Sequence, residues 1–184
     1  RGSGIFAAGW GANRAATYGV DEKDLGQFYA NRTILKREVV PENVADAVRD
    51  RVAVAEFPTT IEAARALHDA GIDIMMGAPN VVRGGSHSGN IAAAELAREG
   101  LLDILSSDYV PSSLLMAALQ LPEHAEAIDL AAAVRTVTKA PAEAVGLFDR
   151  GEIVPGKRAD LIRVHIAHDV PVVRSVWREG HRVA

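Results

Sequence analysis

The 184-residue chain contains no cysteine, so it has no disulfide framework, no thiolate zinc site and no cysteine nucleophile. Any metal must be held by histidine, carboxylate or carbonyl oxygen. It also lacks an apolar run near the roughly 20 residues that cross a bilayer, and its start has no charged segment followed by an apolar leader core. These absences predict a cytoplasmic protein without a membrane partner. Positive charge is not in surplus either, since 20 Lys and Arg stand against 24 Asp and Glu for a net charge of −4. Nucleic-acid binders need basic side chains to replace the counterions condensed on phosphates, which argues against such a partner. With 16 Gly and 8 Pro, collagen-like and low-complexity classes are excluded. Apolar residues, by contrast, make up 48% of the chain, enough for one globular domain with a small appendage.

Aromatics are scarce and unevenly placed: Phe6, Trp10, Tyr18, Phe28 and Tyr29, five of nine, fall in the first forty residues. Residues 1–40 remain unassigned, because Arg1 to Gly19 shows neither helical nor strand period; a helix is expected over Asp21 to Arg32. From Pro41 the pattern becomes regular. Val44, Ala47 and Val48 have helical spacing, Val52 to Phe57 reads as a strand, and Thr59, Thr60 and Glu62 mark a helix start that runs to Ala70. Gly71 ends that helix. Ile72 to Gly77 is a second strand, Pro79 to Asn90 a Gly-rich loop, Ile91 to Glu99 a helix stopped by Gly100, and Leu101 to Ser106 a third strand. Helices follow from Pro111 or Ser112, over Ile128 to Lys139, and over Pro141 to Leu147.

Strands alternating with helices through short connections predict an α/β domain over 41–150, with parallel strands and right-handed crossovers. Ligands then meet loops at the carboxyl ends of strands. Three such ends stand out: Glu56-Phe57-Pro58, Gly77-Ala78-Pro79-Asn80 and Ser106-Ser107-Asp108-Tyr109. Residues 151–184 change to short strands at Glu152 to Val154, Asp160 to Ile166, Val170 to Arg178 and His181 to Ala184. This is a small antiparallel β appendage, with Lys157-Arg158 in a solvated turn.

Asp108 follows a buried strand. A carboxylate there can ligate a divalent cation or accept a proton from an attacking water; alternatively it caps the helix near Pro111. The stretch Arg83-Gly84-Gly85-Ser86-His87-Ser88-Gly89-Asn90 gathers three glycines, neutral donors, a cation and a helix amino end, all ingredients of a phosphate cradle. It fits neither a Walker loop nor a dinucleotide fingerprint, and an ordinary surface loop reads equally well. His87 stands open as metal ligand, proton donor or phosphate contact. Glu56 either orients a ligand or pairs with Arg83, while the histidines outside the loop fall on helices or in the appendage.

Gly151-Glu152-Ile153, Gly156-Lys157-Arg158-Ala159-Asp160-Leu161 and Val176-Trp177-Arg178-Glu179-Gly180 resemble the closing segment of metal-dependent amidohydrolases. The stretches 55–60, 76–90 and 102–109 resemble a branch of that superfamily that works in phosphonate metabolism. The resemblance implies the C-terminal part of a (β/α)₈ TIM-type barrel, with 151–184 as a β-sandwich segment. It also implies an enzyme that releases pyrophosphate from a ribose methylphosphonate triphosphate, a small phosphorylated substrate. Asp108 matches the family's aspartate on the last barrel strand, a metal ligand and proton acceptor. Asn80, Arg83, Gly84, Gly85, Ser86, His87 and Ser88 would then contact phosphate. Zinc or manganese, one or two ions, is expected if upstream ligands are present. The departure is large, because the family's other ligands, such as a His-x-His pair, are missing and Thr33 to Val40 does not match its strand. Two alternatives stay open: an amidohydrolase acting on a carbon–nitrogen bond, and a non-catalytic binding or assembly module. Bare strand edges near Val52 and Ile104 predict a homo-oligomer.

Overall fold

The computed structural model describes residues 12, 15–16, 18–25, 27–28, 42–86 and 90–184, and the chain divides into two units, 1–52 and 53–184. In the first unit a 3₁₀ turn, Glu22–Asp24, opens the expected helix, with Leu25, Gln27 and Phe28 continuing it. Residues 29–32 lie outside the described residues. Leu25 is fully buried, and the rings of Tyr18 and Phe28 lie 4.9 Å apart. Helix α1, Glu42–Arg49, forms where the periodicity placed it and carries an Asp46–Arg49 ion pair at 2.7 Å.

The second unit contains the alternating pattern. Strand β1, Val54–Glu56, leads into α2, Ile61–Asp69, and then β2, Asp73–Gly77. Thr60 rather than Thr59 is the cap of α2: its Oγ1 accepts from the Ala63 amide at 3.2 Å. Gly71, at φ 75°, takes the left-handed turn that stops the helix. After α3, Ala78–Val82, and α4, Ala93–Arg98, comes β3, Ile104–Ser106. The sheet order is β1-β2-β3, parallel throughout, with Ala55 opposite Ile74 and Met76 opposite Leu105. Asp103 ties the amino ends together, accepting from the Ile74 amide at 2.8 Å. The architecture is therefore α/β with a parallel sheet.

Helices α5, Ser113–His124, α6, Leu130–Arg135, and α7, Lys139–Ala144, pack on afterwards. The core joins Ile74 and Met76 of the central strand to Val81, Leu96, Leu105 and Leu121. Each fully buried large side chain stabilises the fold by about 1.5–3 kcal/mol. Because Ile74, Met76 and Leu105 anchor the strands from within, their carboxyl ends are held in fixed register.

An antiparallel hairpin closes the described chain: β4, Leu161–Ala167, pairs with β5, Val170–Arg178, and β5 with β6, His181–Arg182. Two expectations fail in this region. Glu152 to Val154 is not a strand, since Ile153 is 85% exposed and the Glu152 carboxylate is drawn to Lys139 at 2.7 Å and Lys157 at 2.5 Å. Nor is Lys157-Arg158 a merely solvated turn, because Arg158 also bridges Asp160 at 2.7 Å and Glu179 at 3.0 Å. No described helix is long and apolar enough to cross a membrane.

Candidate active site

A cavity of about 320 Å³ lies at the carboxyl ends of all three parallel strands, at the low end of the range for small-molecule sites. Each strand sends one segment to it. Phe57 comes after β1, Asn80 and Arg83 come from α3 and its end, and Asp108 and Tyr109 come after β3. The convergence that strand and helix alternation implied is therefore present.

Asp108 reaches the cavity through its backbone. Its φ is 49°, the left-handed region, which aspartate tolerates better than most residues. The cap alternative is not realised, because α5 starts at Ser113 and its N-cap, Ser112, receives no side-chain cap. Phe57 repeats the same conformation at φ 55°, a strained setting for an aromatic residue. Two residues beyond strand ends thus carry backbone strain at one cavity.

The loop between β2 and α4 differs from expectation at its start. Residues 78–82 form a helical turn, with Pro79 in the first turn where a missing amide proton costs nothing. Gly85 and Ser86 line the cavity, as does Asn90 across the loop. Gly84 is exposed at φ 74° and turns the chain after Arg83 without lining the cavity. His87 and Ser88 lie outside the described residues.

Asn80 carries more than one role. Its Oδ1 accepts from the Ala93 amide at 2.9 Å, so the first amide of α4 is already satisfied. One amide of the expected helix amino end is taken in this way, while the Asn80 side-chain amide group remains a donor type at the cavity wall. Arg83 Nη1 donates to Tyr109 Oη at 3.2 Å, not to Glu56, and among the described residues Glu56 forms no ion pair. Tyr109 was not singled out from sequence; its position directly after Asp108 was the available signal.

Among the described residues no three His, Cys, Asp or Glu side chains come together to hold a metal ion. Asp108 alone offers one anionic ligand, whereas a metal site takes three or four. The described residues therefore do not complete a metal centre. What they do assemble is a cation, neutral donors and one carboxylate around a common space.

A model of the amidohydrolase family matches residues 32–184. The chain belongs to the amidohydrolase family. Members of this family generally use divalent metals, and the chain's descent fits a hydrolase. The alpha-D-ribose 1-methylphosphonate 5-triphosphate diphosphatase of Escherichia coli (strain K12) is 53% identical over 142 residues, covering 77% of this chain and 38% of that protein. A crystal structure of an uncharacterized protein superposes with TM-score 0.53 at 21% identity, over 79% of this chain and 44% of that one, and supports the fold alone. An uncharacterized oxidoreductase of Bacillus subtilis (strain 168) is 38% identical over 48 residues, only 7% of its length. That short overlap supports no redox reading. This amidohydrolase chain spans less than half the length of each of these proteins.

Proposed function

We propose that this amidohydrolase chain is the phosphate-holding and proton-accepting part of a hydrolase of phosphonate metabolism, which releases pyrophosphate from a ribose methylphosphonate triphosphate. The observation that carries the reading is the gathering of Asn80, Arg83, Ser86 and Asp108 around one cavity at the strand ends. The name of the E. coli relative gives the substrate class. In this reading the three strands are a segment of a (β/α)₈ barrel, and 151–184 is its β-sandwich segment.

Water attacks the phosphorus nearest the ribose, the bond to the bridging oxygen breaks, and pyrophosphate leaves with its negative charge met by Arg83 and the neutral donors. Asp108 accepts the proton of the attacking water. Gly85, Ser86, His87 and Ser88 complete the phosphate loop, into which Gly84 only turns the chain. A divalent ion, zinc or manganese, belongs to the reading with Asp108 as one ligand and further ligands from outside the described residues. The outer edge of β1 suits association of copies into a homo-oligomer, whereas the expected bare edge near Ile104 is occupied, because the Leu105 amide of β3 donates to the Thr136 carbonyl at 3.0 Å. A cytoplasmic setting suits the phosphorylated substrate.

Titrating pyrophosphate into the purified chain tests the reading directly. Saturable binding lost in Arg83→Ala is expected; no binding favours hydrolysis of a carbon–nitrogen bond instead. Release of pyrophosphate, followed by ³¹P NMR, should disappear in Asp108→Asn, and near-unchanged turnover would refute the proton role. Metal analysis completes the set: stoichiometric zinc or manganese supports an enzyme, and its absence favours a non-catalytic module. Light scattering that reports a clean monomer would count against the oligomer.

A further inference from the structure

Arg83 and Asp108 bring opposite full charges to the same cavity, yet they form no ion pair with each other. A guanidinium and a carboxylate sharing a small space ordinarily join, because charge-assisted bidentate contacts are the strong ones. Two features oppose that outcome. Arg83 Nη1 is engaged with the neutral Oη of Tyr109 at 3.2 Å, and the left-handed backbone of Asp108 turns its carboxylate over Gly77. Tyr109 is the next residue after Asp108, so one short segment places both the anion and the group that occupies the cation. Arg83, Asp108 and Tyr109 are the titratable groups among the described residues that line the cavity.

We infer that Tyr109 is a positioning residue which holds Arg83 away from Asp108, so that the cavity keeps a cationic end for a phosphate oxygen and a separate anionic end for a proton. The inference rests on the phosphate reading of the site. A direct Arg83–Asp108 pair would oppose both tasks at once: a phosphate would have to displace the carboxylate, and the carboxylate would be occupied by its neighbour. A phenol suits the holding role because it accepts a hydrogen bond from Arg83 without cancelling its charge. Ligands selected by such a site carry anionic oxygens set apart from the attacked phosphorus, as in a diphosphate or triphosphate.

The test is a cycle of variants read by isothermal titration of pyrophosphate into the 184-residue chain, with circular dichroism to confirm folding. Tyr109→Phe is expected to weaken binding by roughly tenfold, the scale of one charge-assisted contact that the ligand must break. In the Asp108→Asn background the same change should cost less than about twofold, since no carboxylate remains for Arg83 to join. Tyr109→Trp, a ring without an acceptor, should behave as Tyr109→Phe does and stands in for it if that variant misfolds. Equal losses in both backgrounds overturn the inference, because they mean that the hydroxyl touches the ligand or supports the fold. Binding unaltered in Tyr109→Phe removes the inference and leaves the phosphate reading intact. A wild-type chain that binds no pyrophosphate removes both.

Discussion

The Asp108 carboxylate lies over Gly77, the last residue of β2, so closely that a Cβ on Gly77 would stand 2.6 Å from its Oδ2 and 3.1 Å from its Cβ. Strand β2 ends in a residue without a side chain at the point where the neighbouring β3 segment turns back across it. The end of one strand thereby fixes the carboxylate that follows another.

Gly77→Ala tests this contact. The φ of Gly77 is −76°, ordinary for any residue, so the substitution strains no dihedral and acts through the contact alone. Asp108 is exposed and its carboxylate can swing away, which keeps the stability loss at the low end of the roughly 1–3 kcal/mol typical of overpacking. Displacing a reacting group by about 1 Å can cost on the order of 10²-fold in rate. Pyrophosphate release should fall by about that factor while the thermal melt moves by only a few degrees. Unchanged release would mean that Asp108 needs no fixed place.

Asn80 allows structure and binding to be separated. Its Oδ1 caps α4, so Asn80→Ala should cost about 1 kcal/mol and lower the melting temperature by roughly 2–4 °C. Asn80→Asp keeps the acceptor and therefore the stability, but places an anion at the wall of a phosphate cavity. It should weaken pyrophosphate binding with little change in the melt. If Asn80→Asp melts as low as Asn80→Ala, the cap assignment is wrong.

Sequence made the parallel arrangement legible because β2 and its flanking helices carry strong local signals: Thr60 as a cap, Gly71 and Gly100 as stops, and a run from Ile72 to Met76 that is apolar except for Asp73. Asp108 was legible as a residue at a strand end, but its left-handed turn was not, since Asp-Tyr-Val-Pro fits several loop geometries. Glu152 to Val154 misled because Ile and Val favour strands when one face is covered, whereas here the flanking charges decide the path. The Arg83–Tyr109 bond joins residues 26 apart, and local pattern carries no information at that separation.

Glu152 makes the stability of the region around α7 depend on pH. Hydrogen bonds from Lys139 and Lys157 hold its carboxyl well below the usual range, at about 2. A depressed folded-state value means that the stabilisation is fully present above the ordinary carboxylate value near 4.3 and is lost as pH falls through about 2. The difference in melting temperature between wild type and Glu152→Gln should therefore be constant from neutral pH to about pH 5 and shrink below it. A difference that grows in acid would contradict the ion cluster.

Gly151 sits beside that cluster under two separate constraints. Its φ is 91°, and a Cβ there would lie 2.8 Å from the Lys139 Cα and 3.1 Å from the Thr138 carbonyl oxygen. Both neighbours are backbone at the start of α7, so neither can yield as a side chain would. Gly156 provides the control, with φ 90° and nothing within 4 Å of its added Cβ. Gly156→Ala should carry only the left-handed cost of about 1–2 kcal/mol, whereas Gly151→Ala adds about 1–3 kcal/mol of overpacking. At roughly 2–4 °C per kcal/mol, Gly151→Ala should melt several degrees below Gly156→Ala. Equal melts would show that α7 moves aside freely, and the Lys139–Glu152 pair would then be a loose contact instead of a fixed clasp.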